Sequence, residues 1–416
     1  MAFKVYGYTG VVRQVSVEER RARLGRRHLL AMPVEDVTGV ARALVALHSS
    51  DPTTIFLSIR ARAPRAGVDD VEKTLYEDRA LIRFWGMRRT LWVIERDLVP
   101  VVHHSSTRRI AERERPRTIR MIEEGGVAED GAAWLERVLP EVLGIVRERG
   151  EVLTRDLTRA MPQLAEKIIF HNKAGRVMGS TSMSSRALVQ LAMESRVVRA
   201  RPAGTWISGQ YRWSETESWL GGPIEPMSVD EASSELVSRW LQTFGPGTET
   251  DIRWWTGWPA GQVRKALAAV AAVEVGLDGD VGYLHPDDLD PVPAPPPWVA
   301  VLPSLDPTTM GWKQRDWYLC GRDALLFDRN GNAGPTIWVD GRVVGGWGRG
   351  DDGTVAHRLL EDVGAARAAM IEAELAALET WLGEVRFTPR FRSPLDLELS
   401  RSGRRLPSGN VAGPSR

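Results

Sequence analysis

Three residues near the end of an apolar segment have the side chains needed to activate a water molecule. In Leu47-His48-Ser49-Ser50-Asp51-Pro52, a histidine, a serine and an aspartate lie within four positions. An unperturbed imidazole titrates near ~6.5, so His48 can take a proton from water at neutral pH. Asp51 can orient that imidazole or stabilise a developing cation, and Ser50 can hydrogen-bond the water. Each residue also has a plainer explanation. His48 continues the apolar face of a helix predicted over 34–48, with Val37, Val40, Ala41, Leu44 and Val45, as a core histidine would. Asp51 before Pro52 reads as an N-cap followed by proline at the first helical position, and a turn serine such as Ser50 needs no other reason.

A second set of residues has the chemistry of phosphate recognition. The chain holds 49 arginines and six lysines, and its net charge is only +1. Arginine suits bidentate phosphate and base contacts, although a GC-rich genome produces the same bias. Local charge is more telling than the total. Between His103 and Arg120, six arginines, beginning with Arg108 and Arg109, face only Glu112 and Glu114. This is either a basic stripe or a solvated helix face. Arg88 and Arg89 sit in a predicted hairpin over 81–94, and Arg186, Arg199 and Arg201 flank a later helix and hairpin. All seven are candidate DNA contacts or ordinary surface charges. Trp254, Trp255 and Trp258 can stack a base, but tryptophans at helical spacing beside Gly257 more often pack.

The elements that position these residues repeat an order. Ser16 with Glu19 forms a capping-box signature for a helix over 16–28. The helix over 34–48, one starting at Pro52, a short one over 69–77 and the hairpin follow. Helices followed by a hairpin is the order of a winged helix. The order recurs in helices over 132–149, 155–161 and 182–195 with strands over 197–201 and 205–208. It recurs again over 230–244, a short helix through Trp255, a helix over 260–272 and a hairpin around Asp278-Gly279-Asp280. Past the proline-dense 291–297 come strands over 298–302, 317–320, 336–340 and 342–347, then a long helix over 354–382 and a polar tail.

The expected fold is therefore α+β: tandem winged helices (helix-turn-helix with a β-wing) and a small β-rich C-terminal domain. The expected divisions are 1–125 with the candidate site, 126–222, 223–290, 291–399, and a disordered tail over 400–416. The composition, 43% apolar and 26% charged, is that of a globular chain. No apolar run reaches the ~20 residues of a membrane helix, and no secretory block opens the chain, so a cytoplasmic protein that is nucleoid-associated when bound to DNA is expected. The single cysteine, Cys320, excludes an intrachain disulfide and a cysteine-rich zinc site. His103-His104 lacks a third ligand, Gly345-Gly346 lacks the context of a phosphate loop, and Asp328-Arg329-Asn330-Gly331-Asn332 lacks the closing glutamate of a calcium loop. Neither a metal nor a cofactor is expected.

Six segments together resemble the AlkZ/YcaQ-like family of bacterial DNA glycosylases. They are Leu47 to Pro52, Leu75-Tyr76-Glu77-Asp78-Arg79, Met87-Arg88-Arg89-Thr90-Leu91, Asp251-Ile252-Arg253-Trp254-Trp255-Thr256-Gly257, Leu302-Pro303-Ser304-Leu305-Asp306-Pro307 and Val343-Val344-Gly345-Gly346-Trp347. The resemblance implies three tandem winged helices forming a basic face on double-stranded DNA, followed by a small β-domain. It also implies monofunctional hydrolysis of the N-glycosidic bond of alkylated purines, in repair or in resistance to a genotoxin. The enzymes of that family carry Gln-hydrophobic-Gln or Gln-hydrophobic-Asp where this sequence has His48-Ser49-Ser50. A non-enzymatic winged-helix DNA-binding protein or transcription regulator is therefore the alternative, and a small-molecule enzyme on the same scaffold is a third. The partner expected is double-stranded DNA, alkylated or not, bound by a monomer.

Overall fold

The computed structural model describes residues 13–171, 174–350 and 352–402. Helices and strands both contribute throughout, as expected for a mixed fold. The chain opens with α1 (Val17–Arg27), whose N-cap Ser16 accepts from the Glu19 amide. Next comes α2 (Val37–Ala43), capped by Asp36. The predicted helix over 34–48 thus ends early. Val45 adopts φ +63°, which a helix does not allow, and the chain leaves as a short strand β1 (Leu47–His48). α3 (Pro52–Arg60) begins at Asp51 and Pro52 as read from the sequence. α4 (Val68–Glu72) runs on as a π-turn through Glu77.

The hairpin β2 (Leu81–Gly86) and β3 (Thr90–Glu95) then forms, with β1 adding to it so that His48 lies opposite Trp92. Gly86 allows the hairpin to close against its neighbours, because a Cβ there would sit 2.9 Å from Val102 and 3.2 Å from Trp92. α5 (Val99–Val102), a π-turn over His103–Thr107 and α6 (Arg108–Glu124) cross behind this sheet.

The middle of the chain packs α7 (Gly131–Arg149), β4 (Glu151–Leu153), α8 (Thr154–Ala160), the hairpin β5 (Lys167–His171) and β6 (Val177–Ser182), and α9 (Met183–Met193). β7 (Val197–Pro202) and β8 (Tyr211–Glu215) complete a three-stranded sheet in the order β4-β8-β7. The second strand was expected over 205–208. That segment instead turns after Gly204 (φ +93°), with the Ser208 amide on the Thr205 carbonyl, so pairing is delayed to Tyr211. The β5–β6 hairpin was not anticipated. Its Ile169, Val177 and Met178 are exposed, so it lacks the alternation of a half-buried strand.

After α10 (Thr216–Leu220) come α11 (Val229–Phe244), α12 (Glu249–Thr256), α13 (Ala260–Ala269) and the hairpin β9 (Val273–Leu277) and β10 (Asp280–Leu284), all near their predicted places. The last part is a four-stranded sheet, β11 (Val299–Leu302), β12 (Thr336–Val339), β13 (Arg342–Arg349) and β14 (Val355–Leu359), in that order. Residues 317–320 are not a strand. They belong to a helical turn, α14 (Asp316–Leu319), stopped by Cys320 at φ +50°, and α15 (Asp323–Leu326) follows. The predicted helix over 354–382 divides: its first residues pair with β13 as β14, and α16 (Gly364–Leu382) begins only afterwards. α17 (Pro394–Ser402) buries Leu395 and Leu399 and continues into the first residues of the tail expected over 400–416, and residues 403–416 of that tail lie outside the described residues.

Two large cores result. One joins α2, α3, the β2–β3 hairpin, α11 to α13, the four-stranded sheet and α16. The other lies between α7, α8, α9 and the β4-β8-β7 sheet. The first is tied through a buried ion pair. Arg62 and Asp306, both 0 % exposed, meet in a bidentate contact of 2.8 and 2.9 Å. Ser58 and the Thr308 amide also donate to Asp306, and the remaining Arg62 donors reach the carbonyls of His28 and Ser58 and the Thr308 hydroxyl. The Leu302-to-Pro307 segment is thereby explained as a structural joint.

Candidate active site and nucleic-acid interface

The segment from His48 to Asp51 is held rigidly. Ser49 donates its amide to the Leu91 carbonyl and takes a 3.2 Å hydrogen bond from Arg83 on its hydroxyl. The Ser50 carbonyl accepts from the Arg390 guanidinium at 3.1 Å. Asp51, only 2 % exposed, accepts from the Thr53 amide and hydroxyl on one oxygen and from the Arg390 amide, at 2.7 Å, on the other.

Two groups of this segment remain unengaged. Neither ring nitrogen of His48 has a hydrogen-bond partner among the described residues, although the ring is 3 % exposed and lies 3.8 Å from the Trp92 ring. The Ser50 hydroxyl, half-buried, makes no side-chain hydrogen bond there either. Burial pushes the His48 imidazole down to about 3; Arg88 adds to this and Asp306 opposes it. His48 is therefore neutral at pH 7, with one ring N–H donor and one acceptor. Asp51 does not orient the imidazole, because both of its oxygens are occupied elsewhere.

The candidate DNA contacts fall into distinct settings. Arg88, at φ +56° between β2 and β3, lies 4.2 Å over the Trp254 ring, with Nη1 buried and unpaired. Burial and neighbouring Arg315 lower it to about 10. Gly257, at φ +73°, ends α12 and lets the Arg88 backbone approach. Arg89 pairs with Glu114 at 2.7 Å, and Arg109 donates to Gln262 and to the Gly257 carbonyl. With Arg113 and Arg117 these arginines line a cleft of about 280 Å³ whose single carboxylate is Glu114. Arg108 is exposed nearby. Arg186 donates to Thr118 and is not in this cleft. Arg201 is committed to Glu72 and Glu77. Arg199 forms no ion pair among the described residues, and lies 4.9 Å over the Tyr211 ring and 5.3 Å over Trp213. Trp255 and Trp258 are buried, Trp255 against Trp92 at 5.5 Å, so both are packing residues.

Arg83, Tyr211 and Arg390 were not singled out from the sequence, yet they surround the 48–51 segment. Arg83 donates 2.6 Å to the Tyr211 hydroxyl as well as to Ser49, and its Nε and Nη2 have no hydrogen-bond partner among the described residues. A signal existed for Arg83: a cation in the middle of Leu81-Ile82-Arg83-Phe84, an otherwise apolar strand. No local signal marks Arg390, which arrives from 340 positions away.

No helix among the described residues is long and apolar enough to cross a membrane. A search among curated proteins returned no match. Among solved structures, the Streptomyces sahachiroi DNA glycosylase AlkZ has a similar fold, with a TM-score of 0.68 at 18% identity over 88% of this chain and 97% of that one. The model of the AlkZ-like DNA glycosylase family matches residues 41–381. With the match covering most of its length, the chain belongs to the AlkZ-like DNA glycosylase family, whose members act on DNA.

Proposed function

We propose that this protein is a monofunctional glycosylase that hydrolyses the N-glycosidic bond of alkylated purines in double-stranded DNA, with the His48–Asp51 segment as its active site. The observation that carries this reading is the contrast within that segment. Ser49, the Ser50 carbonyl and Asp51 are fixed by hydrogen bonds, while the buried His48 ring nitrogens and the Ser50 hydroxyl have no hydrogen-bond partner among the described residues. Such a rigid support with unused polar groups is what water positioning requires.

An N7- or N3-alkylated purine already carries positive charge, so its glycosidic bond is weak and needs no strong acid. Neutral His48 accepts a hydrogen bond from the attacking water and Ser50 supplies a second contact. Asp51 acts as a fixed negative charge near the oxocarbenium-like sugar. The three helix-and-hairpin groups act as winged helices, a finer arrangement than the mixed fold itself. Arg88, Arg89 and Arg109 line the cleft around Glu114 and, with the exposed Arg108, meet the phosphates. Arg186, Arg199 and Arg201 contact the strand from the middle part of the chain. The protein works as a monomer in the cytoplasm, on the nucleoid when bound.

The test is incubation of the protein with duplexes carrying N7-methylguanine or a nitrogen-mustard adduct, with free base and abasic strand as readouts. Release of base with intact phosphodiester bonds is expected. The substitution of the family's glutamines by His48 and Ser50 favours one second reading, a DNA-binding protein without activity. Binding without release would establish that reading and sink the first.

A further inference from the structure

On the far side of Tyr211 from the 48–51 segment lies a cavity of about 720 Å³, walled by α8, the ends of the β5–β6 hairpin, the start of α9 and the β7–β8 strands. Its charge is one-sided. Arg155, Lys167 and Arg199 line it together with hydroxyls such as those of Ser184 and Tyr211, and no aspartate or glutamate is among its lining residues. None of the three cations forms an ion pair among the described residues, and the Nε of Arg199 is buried without a hydrogen-bond partner.

The surroundings add positive charge. Arg83 touches the phenol of Tyr211 from behind, and the Arg390 guanidinium sits beside Gly209, where a Cβ would lie 3.3 Å from Nη2. Burial, with Arg83 and Arg390 contributing, pushes the Arg199 guanidinium down to about 10, while Tyr211 opposes the shift. A largely buried cation without a carboxylate, as Arg199 is, is unfavourable unless an anion joins it, and Arg155 and Lys167, exposed on the same lining, add to the attraction. The volume exceeds that of one phosphate and is within the range of sites that hold a nucleotide-sized ligand.

We propose that this cavity is a phosphate-binding site that takes phosphate groups of the strand passing the 48–51 segment. The inference rests on the reading that the chain acts on DNA. A hydrogen-bonded link, Ser49 to Arg83 to Tyr211, connects the cavity to the candidate active site, and Arg390, bonded to the Ser50 carbonyl, lies beside Gly209 on the cavity lining. A strand held by its phosphates in the cavity is therefore placed beside the Ser49–Ser50 part of the segment.

The test uses the full chain and its Arg199→Gln, Lys167→Gln and Arg199→Lys variants. Affinity for a fluorescent duplex is measured from low to moderate salt. Each phosphate contact contributes about 0.9 to the slope of log affinity against log salt. Arg199→Gln and Lys167→Gln should each lower that slope by about one, and Arg199→Lys should restore it. In parallel, melting temperature is followed with inorganic phosphate, deoxyguanosine monophosphate and uncharged deoxyguanosine. Stabilisation by the first two, lost in Arg199→Gln, supports the site; if it occurs without any slope change, the phosphate comes from a free nucleotide instead of the strand. Unchanged slopes together with no response to phosphate overturn the inference, even if base release proceeds normally. A wild type with no salt-dependent DNA binding would instead overturn the proposed function.

Discussion

Arg62 and Arg83 are both buried, and the difference between their surroundings separates the part of the molecule that holds the fold from the part left open to a ligand. Arg62 spends all five of its donors on protein acceptors, two of them on Asp306. Arg83, 2 % exposed, donates to the hydroxyls of Ser49 and Tyr211, lies beside Tyr76, and has no carboxylate partner among the described residues. A fully satisfied buried ion pair is an expensive way to join two segments, but it fixes one geometry. A half-satisfied cation adds nothing of that kind. The guanidinium groups of its neighbours Arg199 and Arg390 likewise have no carboxylate partner among the described residues, whereas the His48 ring lies on the opposite face of the β1–β3–β2 sheet, against Trp92.

The contrast can be broken most severely at Asp306. Asp306→Ala leaves Arg62 buried and uncompensated, and should remove about 3–5 kcal/mol of stability in urea denaturation. A variant as stable as the wild type would show that the joint does not support the fold.

The next largest effect is acid sensitivity. His28, in the Arg62 network, and His48 are both held down to about 3 by burial, and His103 to about 4. The unfolded chain takes up protons near pH 6.5, the folded chain only near pH 3–4, so the unfolded state binds more protons in between. Stability should therefore be complete above about pH 6.5 and decline as pH falls towards 4, read as melting temperature. His48→Ala should flatten part of the decline.

A smaller effect is expected from Asp51→Ala. It removes the α3 cap, with a loss of about 1 kcal/mol, and also frees the Arg390 amide. Base release should fall further than stability does. The smallest stability effect belongs to Arg83→Met. Replacing an unpaired buried cation by an apolar side chain should change stability by less than about 1 kcal/mol in the same urea assay, in sharp contrast to Asp306→Ala. A large loss there would place Arg83 with Arg62 as a structural residue.

Much of this was legible from sequence periodicity. The capped starts at Ser16 and Asp51 form as their side chains dictate, because capping is a local interaction within three residues. The errors came where distant pairing overrode local preference. Leu47 and His48 read as the end of a helix, yet β3 offers them a strand partner. Residues 355–359 read as the start of α16, yet β13 has a free edge. The candidate site divides in the same way. His48, Ser50 and Asp51 were visible as adjacent polar residues, but the neutral state of His48 depends on its burial against Trp92 and on the charge of Arg88, and no spacing in the sequence brings Arg390 to Ser50.

The most direct test is single-turnover release of N7-methylguanine from duplex DNA by wild type, His48→Ala and Ser50→Ala, with melting temperatures measured alongside. Water positioning by the open groups predicts that His48→Ala keeps its fold yet releases base about 10²-fold more slowly, with Ser50→Ala between it and wild type. It also predicts no inflection near pH 6.5 in the wild-type rate. Release by His48→Ala at the wild-type rate would contradict the assignment of this segment as the active site.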